Sequence, residues 1–554
     1  MPSASIASIA SIDDVAAELS LRRSDYLPYG EGVAKLVPQA AFVPDDQPLG
    51  GRLVLVSAVT PTPAGEGKTT ISIGLADSLR RRGVYAVAAL RQPSLGPTLG
   101  AKGGGAGGGR ARLEPFHRVN LGLTGDIHAV TAAHNLLASL VDHALHLGQS
   151  PLDPRRIDWP RVMDLDDRSL RHVLTGLGGP LHGVPREGRF DISAASEVMA
   201  ILCLARDYSD LKRRLGRILV GSTRQGAPVT AAELGAVGGM AVLLREAMLP
   251  NLCQTAEGTP ALVHGGPFGN IAHGCSSVVA TRFALRHAEV VVTEAGFGFD
   301  LGGEKFLHIK CRAAHIWPHA LVLVATARSL KVHGGAAPAQ AAAPNRAALE
   351  RGADNLRHHV QSARAFGLEP VVAINVFAGD VEEELEAIER IAAELGCPVA
   401  RCTPFAHGAE GAFALADLVR ARLAEAPARP VACYLYELSE TPRHKIERVG
   451  ATLYGATGVE LSAQAERDLS RAAAAGLADL PICMAKTHLS LTAHPHLGGR
   501  PQPHVLPIQA VRISAGAGFL VPLCGDIVTM PGLGSSPAVL GIDLTDEGEI
   551  VGLK

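Results

Sequence analysis

Short uninterrupted apolar runs recur along the first two-thirds of the chain: Leu53 to Val56, Val84 to Leu90, Val290 to Val292, Leu321 to Val324 and Val371 to Ile374. Runs of that length without polar alternation predict strands buried on both faces, as in parallel sheets covered by helices. Between them apolar residues return at helical spacing. Ile71, Leu75 and Leu79 precede Arg80-Arg81-Arg82 and a stop at Gly83; Ile127, Val130, Leu137, Val141 and Leu145 run to Gly148 behind Asp126, a natural N-cap. Further helices are expected over SSVVATRFALRHA, around Leu356 and Val360, and over EEELEAIERIAAEL. The alternation is that of an α/β protein with a mostly parallel sheet flanked by helices and with additional α/β subdomains.

The first apolar run leads into Thr62-Pro63-Ala64-Gly65-Glu66-Gly67-Lys68-Thr69-Thr70 and then the helix with Ile71. Strand, glycine loop and helix in that order bring backbone N–H groups to a helix N-terminus, where the macrodipole favours an anion. Lys68 supplies a point charge for terminal phosphates, and the Thr69 hydroxyl is placed to ligate the accompanying Mg2+. The usual phosphate-loop pattern opens with Gly six residues before the Lys, where this chain has Thr62. Nucleotide phosphate binding on a P-loop NTPase-like sheet is the first expectation.

The strand Val84 to Leu90 completes a right-handed crossover, which sets Arg91 at the carboxyl edge of the sheet beside that loop. Glu294 likewise ends a strand, as a site for Mg2+ or its waters or as an ordinary strand-end acid. The run GAKGGGAGGGR from Gly100 to Arg110, which includes Lys102, has linker composition, yet closely spaced glycines also build anion-binding nests. Residues 148 to 190 read as loops, HGGPFGNIAHG and FGFDLGGEKF as further active-edge loops. His128, His134, His143 and His146 lack ligand-spaced partners and read as surface or core residues rather than a metal site. The expected division is a discontinuous nucleotide-binding domain (1–110 and 260–345), an inserted subdomain (111–259) and a C-terminal α/β domain (346–554).

A hydrophobic content of 47% with 19% charged residues over 554 positions gives a large packed interior and argues against extensive disorder. Lys+Arg 52 against Asp+Glu 54 offers no global field for nucleic acid or an anionic membrane, and neither is expected as a partner. Nine scattered cysteines without a CxxC pair read as reduced thiols, mostly core fillers. No apolar segment approaches the ~20 residues that span a bilayer, and the Ser/Ile-rich N-terminus lacks a secretory pattern, so a cytoplasmic location is expected.

Longer segments narrow this further. TPAGEGKTT, RQPSLGPTLGAKGGGAGGG, LTGDIHAVTAAHN, GTPALVHGGPFGNIAHG, VVTEAGFG, VATARSLKVHGG and LPICMAKTHLSL, in order over nearly the whole chain, closely resemble the formate–tetrahydrofolate ligase family. The resemblance implies a cytosolic, commonly homotetrameric enzyme of one-carbon metabolism. It would join formate to tetrahydrofolate with MgATP, giving 10-formyltetrahydrofolate, ADP and phosphate, with a monovalent cation such as K+ as activator. Carried over by motif, Lys68 and Arg91 would hold a formyl phosphate intermediate, Thr62 to Thr69 the nucleotide phosphates, and Asp126 the reacting end of the folate. Phe377 and Phe405 match the two aromatic positions between which the folate ring stacks. Phe405 stands where the family usually has Trp, Arg110 where Tyr usually closes the glycine run, and the segment between Gly335 and Asn345 is short and alanine-rich.

The implied chemistry needs a base only to take the amine proton as it attacks the formyl carbon. Asp126 is a candidate for that step or for orienting the amine, and His273 a weaker one. The rival class is a P-loop ATPase acting as a conformational switch in partner assembly; a third reading is an inactive family member. A GTPase is excluded, because Val376-Phe377-Ala378 follows Asn375 and no NKxD motif is present.

Overall fold

The computed structural model describes residues 10–63, 65–100, 105–148 and 150–553. The chain is an α/β protein built on a 12-stranded, mostly parallel sheet. Its strands are β1 (Tyr26–Pro28), β2 (Ala34–Leu36), β3 (Arg52–Ala58), β4 (Ala86–Leu90), β5 (Gly107–Gly108), β6 (Ala111–Glu114), β7 (Asn251–Thr255), β8 (Pro260–Val263), β9 (Val290–Glu294), β10 (Ala320–Ala325), β11 (Pro370–Asn375) and β12 (Val399–Cys402). The order across the sheet is β1-β2-β7-β8-β4-β9-β3-β10-β11-β12, with β6 on β7 and β5 on β6. From β8 to β12 every neighbour is parallel; β1, β2, β6 and β7 form an antiparallel flank.

The unbroken apolar runs arise because both faces of the parallel part are covered. Leu53 and Leu55 of β3 pack into one hydrophobic cluster, Val54 and Val56 into a second on the other face. A strand with only one buried face would have alternated. The helices that cover it and position the site are α1 (Lys68–Arg81), α2 (Asp126–Leu147), α3 (Val278–His287), α4 (Ala327–His333) and α5 (Arg346–Ala365). The order across the parallel part places β9 between β3 and β4, so the β3–α1–β4 crossover spans one strand. All seven parallel strands end on one edge, where ligands of open α/β sheets bind.

Local differences from the sequence reading have plain causes. Asp126 is the first residue of α2 and not its cap; Gly125, at φ 87°, takes that position because the approach to the helix is left-handed. Residues 148–190 hold short strands, among them Leu152–Ile157 and Val173–Thr175, paired within small sheets outside the main one. FGFDLGGEKF forms π-helical turns, Phe299–Gly303 and then Phe306–Cys311, in place of an open loop. Gly302 allows this, since a Cβ there would overlap the backbone of Gly296. Strands β11 and β12, from the segment assigned to a C-terminal domain, extend the same sheet as β3. A separate three-stranded sheet, β13 (Gly458–Leu461), β14 (Val505–Ser514) and β15 (Phe519–Cys524), lies beyond it.

Among the described residues no helix is long and apolar enough to cross a membrane, and no three His, Cys, Asp or Glu side chains group as a metal site. The nine cysteines are free, and all but Cys433 are buried. His134 is a core residue, stacked on Trp159 at 4.0 Å, and burial lowers its pKa to about 4.

Candidate active site

The loop between β3 and α1 is shaped by its own glutamate. Glu66 is buried, and its Oε1 accepts hydrogen bonds from the Thr62 N–H (2.8 Å) and the Thr62 hydroxyl (3.1 Å). Its Oε2 accepts from Thr326 Oγ1 at 3.0 Å, at the start of α4. The Asn375 side chain, at the end of β11, donates to the Glu66 carbonyl at 3.0 Å. The carboxylate therefore faces inward, leaving the outer side of the loop to backbone N–H groups. Gly65 and Gly67 sit at φ 76° and 71°, and a Cβ on Gly67 would overlap the Asn375 amide. Both conditions demand glycine. Ala64 lies outside the described residues, and Pro63 is exposed at the loop tip.

Gly67 caps α1, so Lys68 and Thr69 open a helix whose first N–H groups have no intrahelical partner and point at the loop. Burial pulls the Lys68 ammonium below its ordinary range, against the attraction of Glu294 and Glu66; Arg91 adds to the lowering. Thr69 Oγ1 donates to Glu294 Oε2 at 2.8 Å. Glu294 Oε1 in turn lies 3.7 Å from Arg91 Nε, and Arg91 Nη1 donates to the Pro267 carbonyl at 3.4 Å. One buried strand-end acid thus joins the loop threonine to the arginine of the neighbouring strand. Two glycines back Arg91: a Cβ on Gly296 would come 2.9 Å from Arg91 Nη1, and Gly296 N donates to the Gly274 carbonyl.

Asp126 lies on the same edge, towards β8. Its Oδ1 is ion-paired with Lys35 Nζ at 2.8 Å, both side chains being buried, and its Oδ2 accepts from Asn251 Nδ2 at 2.7 Å. Thr124 Oγ1 bridges Asp126 Oδ1 and Asn251 Oδ1. Both oxygens are occupied by protein groups, which suits orientation better than proton abstraction. His273 is fully buried, and neither ring nitrogen has a hydrogen-bond partner among the described residues. Burial first, then Lys310, Arg214, Lys305 and Arg91, hold its pKa down to about 3, so the ring is neutral near pH 7.

At the far side of the edge, Phe377 follows β11 and Phe405 follows β12, strands paired through Asn375 and Cys402. Arg328 lies 4.5 Å from the centre of the Phe377 ring. Phe405 is 62% exposed, and it packs on the glycine run: its ring atoms would lie 3.1 Å from a Cβ on Gly108 and 2.9 Å from one on Gly109. Arg110 N–H donates to the Phe405 carbonyl at 2.9 Å, while its side chain is exposed. The run is therefore partly a platform for this ring; residues 101–104, with Lys102, lie outside the described residues.

Thr326, Asn375, Asn251 and Lys35 went unassigned by sequence reasoning. Thr326 and Asn375 stand at or just past the ends of β10 and β11, the edge to which the strand-end rule points. Asn251 and Lys35 carry no comparable signal, because they lie in the antiparallel flank.

A glycine loop opening a helix, a strand-end acid on its threonine and a second cation from the adjacent strand form a candidate anion site at the carboxyl edge of an α/β protein. The family model described as formate–tetrahydrofolate ligase matches residues 2–554. Similar proteins of that name include those of Myxococcus xanthus (52% identical over 542 residues, 98% of each chain) and Paracoccus denitrificans (51% over 543 residues, 98% of this chain and 97% of the other). That of Saccharopolyspora erythraea is 50% identical over 552 residues, 98% of this chain and 97% of the other. The chain belongs to the formate–tetrahydrofolate ligase family.

Proposed function

We propose that this chain joins formate to tetrahydrofolate at the expense of ATP, forming 10-formyltetrahydrofolate, ADP and phosphate through formyl phosphate. The observation that carries the reading is the Thr69–Glu294–Arg91 chain beside Lys68, two cations and a phosphate loop converging at one edge of the sheet. Formate alone is a poor acyl donor, since its oxide is a poor leaving group. Attack of a formate oxygen on the terminal phosphoryl makes that oxygen part of a phosphate, which leaves readily.

Phosphoryl transfer of this kind needs positioning and charge more than covalent help. Lys68 and the N–H groups of α1 hold the terminal phosphoryl, and Arg91 offers a planar fork to an anion with two oxygens. Glu294 fixes Arg91 and Thr69 relative to each other. Thr69 and Glu294 are oxygen donors that fit the Mg2+ carried by the nucleotide, which would neutralise phosphate charge there. Glu294→Gln should weaken Mg2+-dependent ADP binding about tenfold in calorimetry, while Mg2+-free binding stays unchanged; equal losses in both would remove the metal role.

The neutral amine of tetrahydrofolate then attacks the formyl carbon and phosphate departs. Phe377 and Phe405 offer faces for the folate ring system, and Asp126, held by Lys35 and Asn251, orients its reacting end. Residues 1–110 with 260–345 are read as the nucleotide side, 111–259 as an insertion and 346–554 as the source of the folate side. The homotetramer, K+ activation and cytoplasmic location belong to the same proposal, the first two tested by sedimentation and by turnover with K+ replaced by a large organic cation.

The deciding assay follows ADP release and 10-formyltetrahydrofolate with formate and tetrahydrofolate added singly and together. Product must require both. ADP release driven by a partner protein and indifferent to formate would replace the ligase with a conformational ATPase.

A further inference from the structure

Away from the sheet edge, a cavity of about 260 Å³ opens between the helix Tyr208–Gly216, the segment around Ile309 to Ala313, and the turn that joins β14 to β15. Four arginines line it, Arg213, Arg214, Arg217 and Arg312, with Asp210 as its single acid. Asp210 is already shared: its Oδ1 is 2.5 Å from Arg213 Nη2 and 3.1 Å from Arg214 Nε, and its Oδ2 is 3.7 Å from Arg206 Nε. Arg217 and Arg312 form no ion pair among the described residues. Arg312 is oriented with care. One Nη donates to the Tyr436 carbonyl at 2.7 Å, its guanidinium lies 3.5 Å from the centre of the Tyr434 ring, and its Nε is buried without a partner. Arg214 is anchored through Nη1 to the Ala517 carbonyl at 2.9 Å.

Holding like charges together around one open cavity raises the energy of the empty protein, and the stacking and carbonyl anchors that fix the forks add to the order imposed. None of these arginines is among the groups assigned to the reaction. We infer that this cavity is an anion-binding site, separate from the phosphate loop, for a small molecule bearing phosphate or carboxylate oxygens. Planar forks match both oxyanions by paired hydrogen bonds, and the volume suits a small metabolite rather than a nucleotide with its base. The site is placed to communicate with the reaction. Arg312 lies in the last turn of the helical run that starts at Phe299, five residues after Glu294.

The test uses the Lys68→Ala full-length protein, so that anion binding at the phosphate loop is suppressed, with inorganic pyrophosphate and citrate as probes in calorimetry. The expected result is saturable binding of at least one probe, about one per chain. Adding Arg217→Ala or Arg312→Gln should weaken it tenfold or more, with Arg217→Lys recovering part of the loss. Pyrophosphate binding alone marks a phosphate site and citrate alone a carboxylate site. Because Arg217 is exposed, its variants should fold, and circular dichroism verifies this. No saturable binding of either probe, or binding unchanged by both substitutions, overturns the inference.

Discussion

Two regions of the sheet's carboxyl edge, a phosphate end at the central strands β4, β9 and β3 and an aromatic end at β11 and β12, are built on opposite physical plans. At the phosphate end, Lys68, Thr69, Glu294 and Arg91 are held within a few hydrogen bonds of one another, half-buried or buried, beside Gly67 and Gly296, where a Cβ would clash. At the aromatic end, Phe377 and Phe405 stand on loops after two neighbouring strands, and Phe405 is largely open to solvent. Under the proposed function, one pre-organises charge for a transition state and the other offers flat apolar area to a ground-state ligand. The first should therefore fail steeply when altered and the second gradually.

The steepest failures are expected at the cations. Lys68→Ala and Arg91→Ala should each lower turnover by about a hundredfold or more, as for other charge-stabilising donors, measured as steady-state 10-formyltetrahydrofolate formation. A near-wild-type rate in either variant would erase the contrast between the two ends. Next comes Gly67→Ala. Its left-handed backbone costs a side chain about 1–2 kcal/mol, and the new Cβ would displace the Asn375 amide that holds Glu66. Turnover should fall about tenfold or more with folate affinity unchanged; a parallel loss of folate binding would mean that the two ends are not separable.

The helix that carries the loop bears a cost of its own. Asp77 is buried on α1, with Oδ1 accepting from Thr255 Oγ1 at 2.6 Å and Oδ2 without a partner. Burial, resisted by Thr255 and Thr259, raises its pKa from 3.8 to about 7. Between those values the folded protein keeps a proton that the unfolded chain has released, so this residue lowers stability as pH rises through the window. Asp77→Asn should accordingly raise Tm over wild type at pH 8 and leave it nearly equal at pH 4. Calorimetry that shows no gain at pH 8 would remove the assignment.

The contrast also explains what could be read from the residues. Runs such as Leu53 to Val56 announced buried parallel strands because both faces must be apolar, and Gly65 and Gly67 announced the tight strand-to-helix loop because its left-handed backbone leaves few alternatives. The inward turn of Glu66 was not legible: it depends on Thr326 and Asn375, which approach only when β10 and β11 are laid beside β3. The triad of Lys35, Asp126 and Asn251 is likewise made by an antiparallel flank joining strands more than two hundred positions apart in the chain. Phe377 and Phe405 were named through family resemblance alone, since a ring on a loop has no periodicity to betray it.

The smallest effect is expected at that exposed ring, and it tests the plan of the aromatic end directly. Phe405 rests one side on Gly108 and Gly109, so a larger ring has room to grow only towards solvent, where a ligand would stack. Phe405→Trp adds aromatic area on the ligand side without disturbing the glycine contact. Aromatic pairs contribute about 0.5–1.5 kcal/mol beyond burial, and only part of that is gained by enlarging a ring already present. The folate KM should fall a few-fold while kcat and the KM for ATP stay within experimental error, because the added contact is made equally in ground and transition states. If kcat moves instead, the ring takes part in placing the reacting amine, and the aromatic end is as pre-organised as the phosphate end.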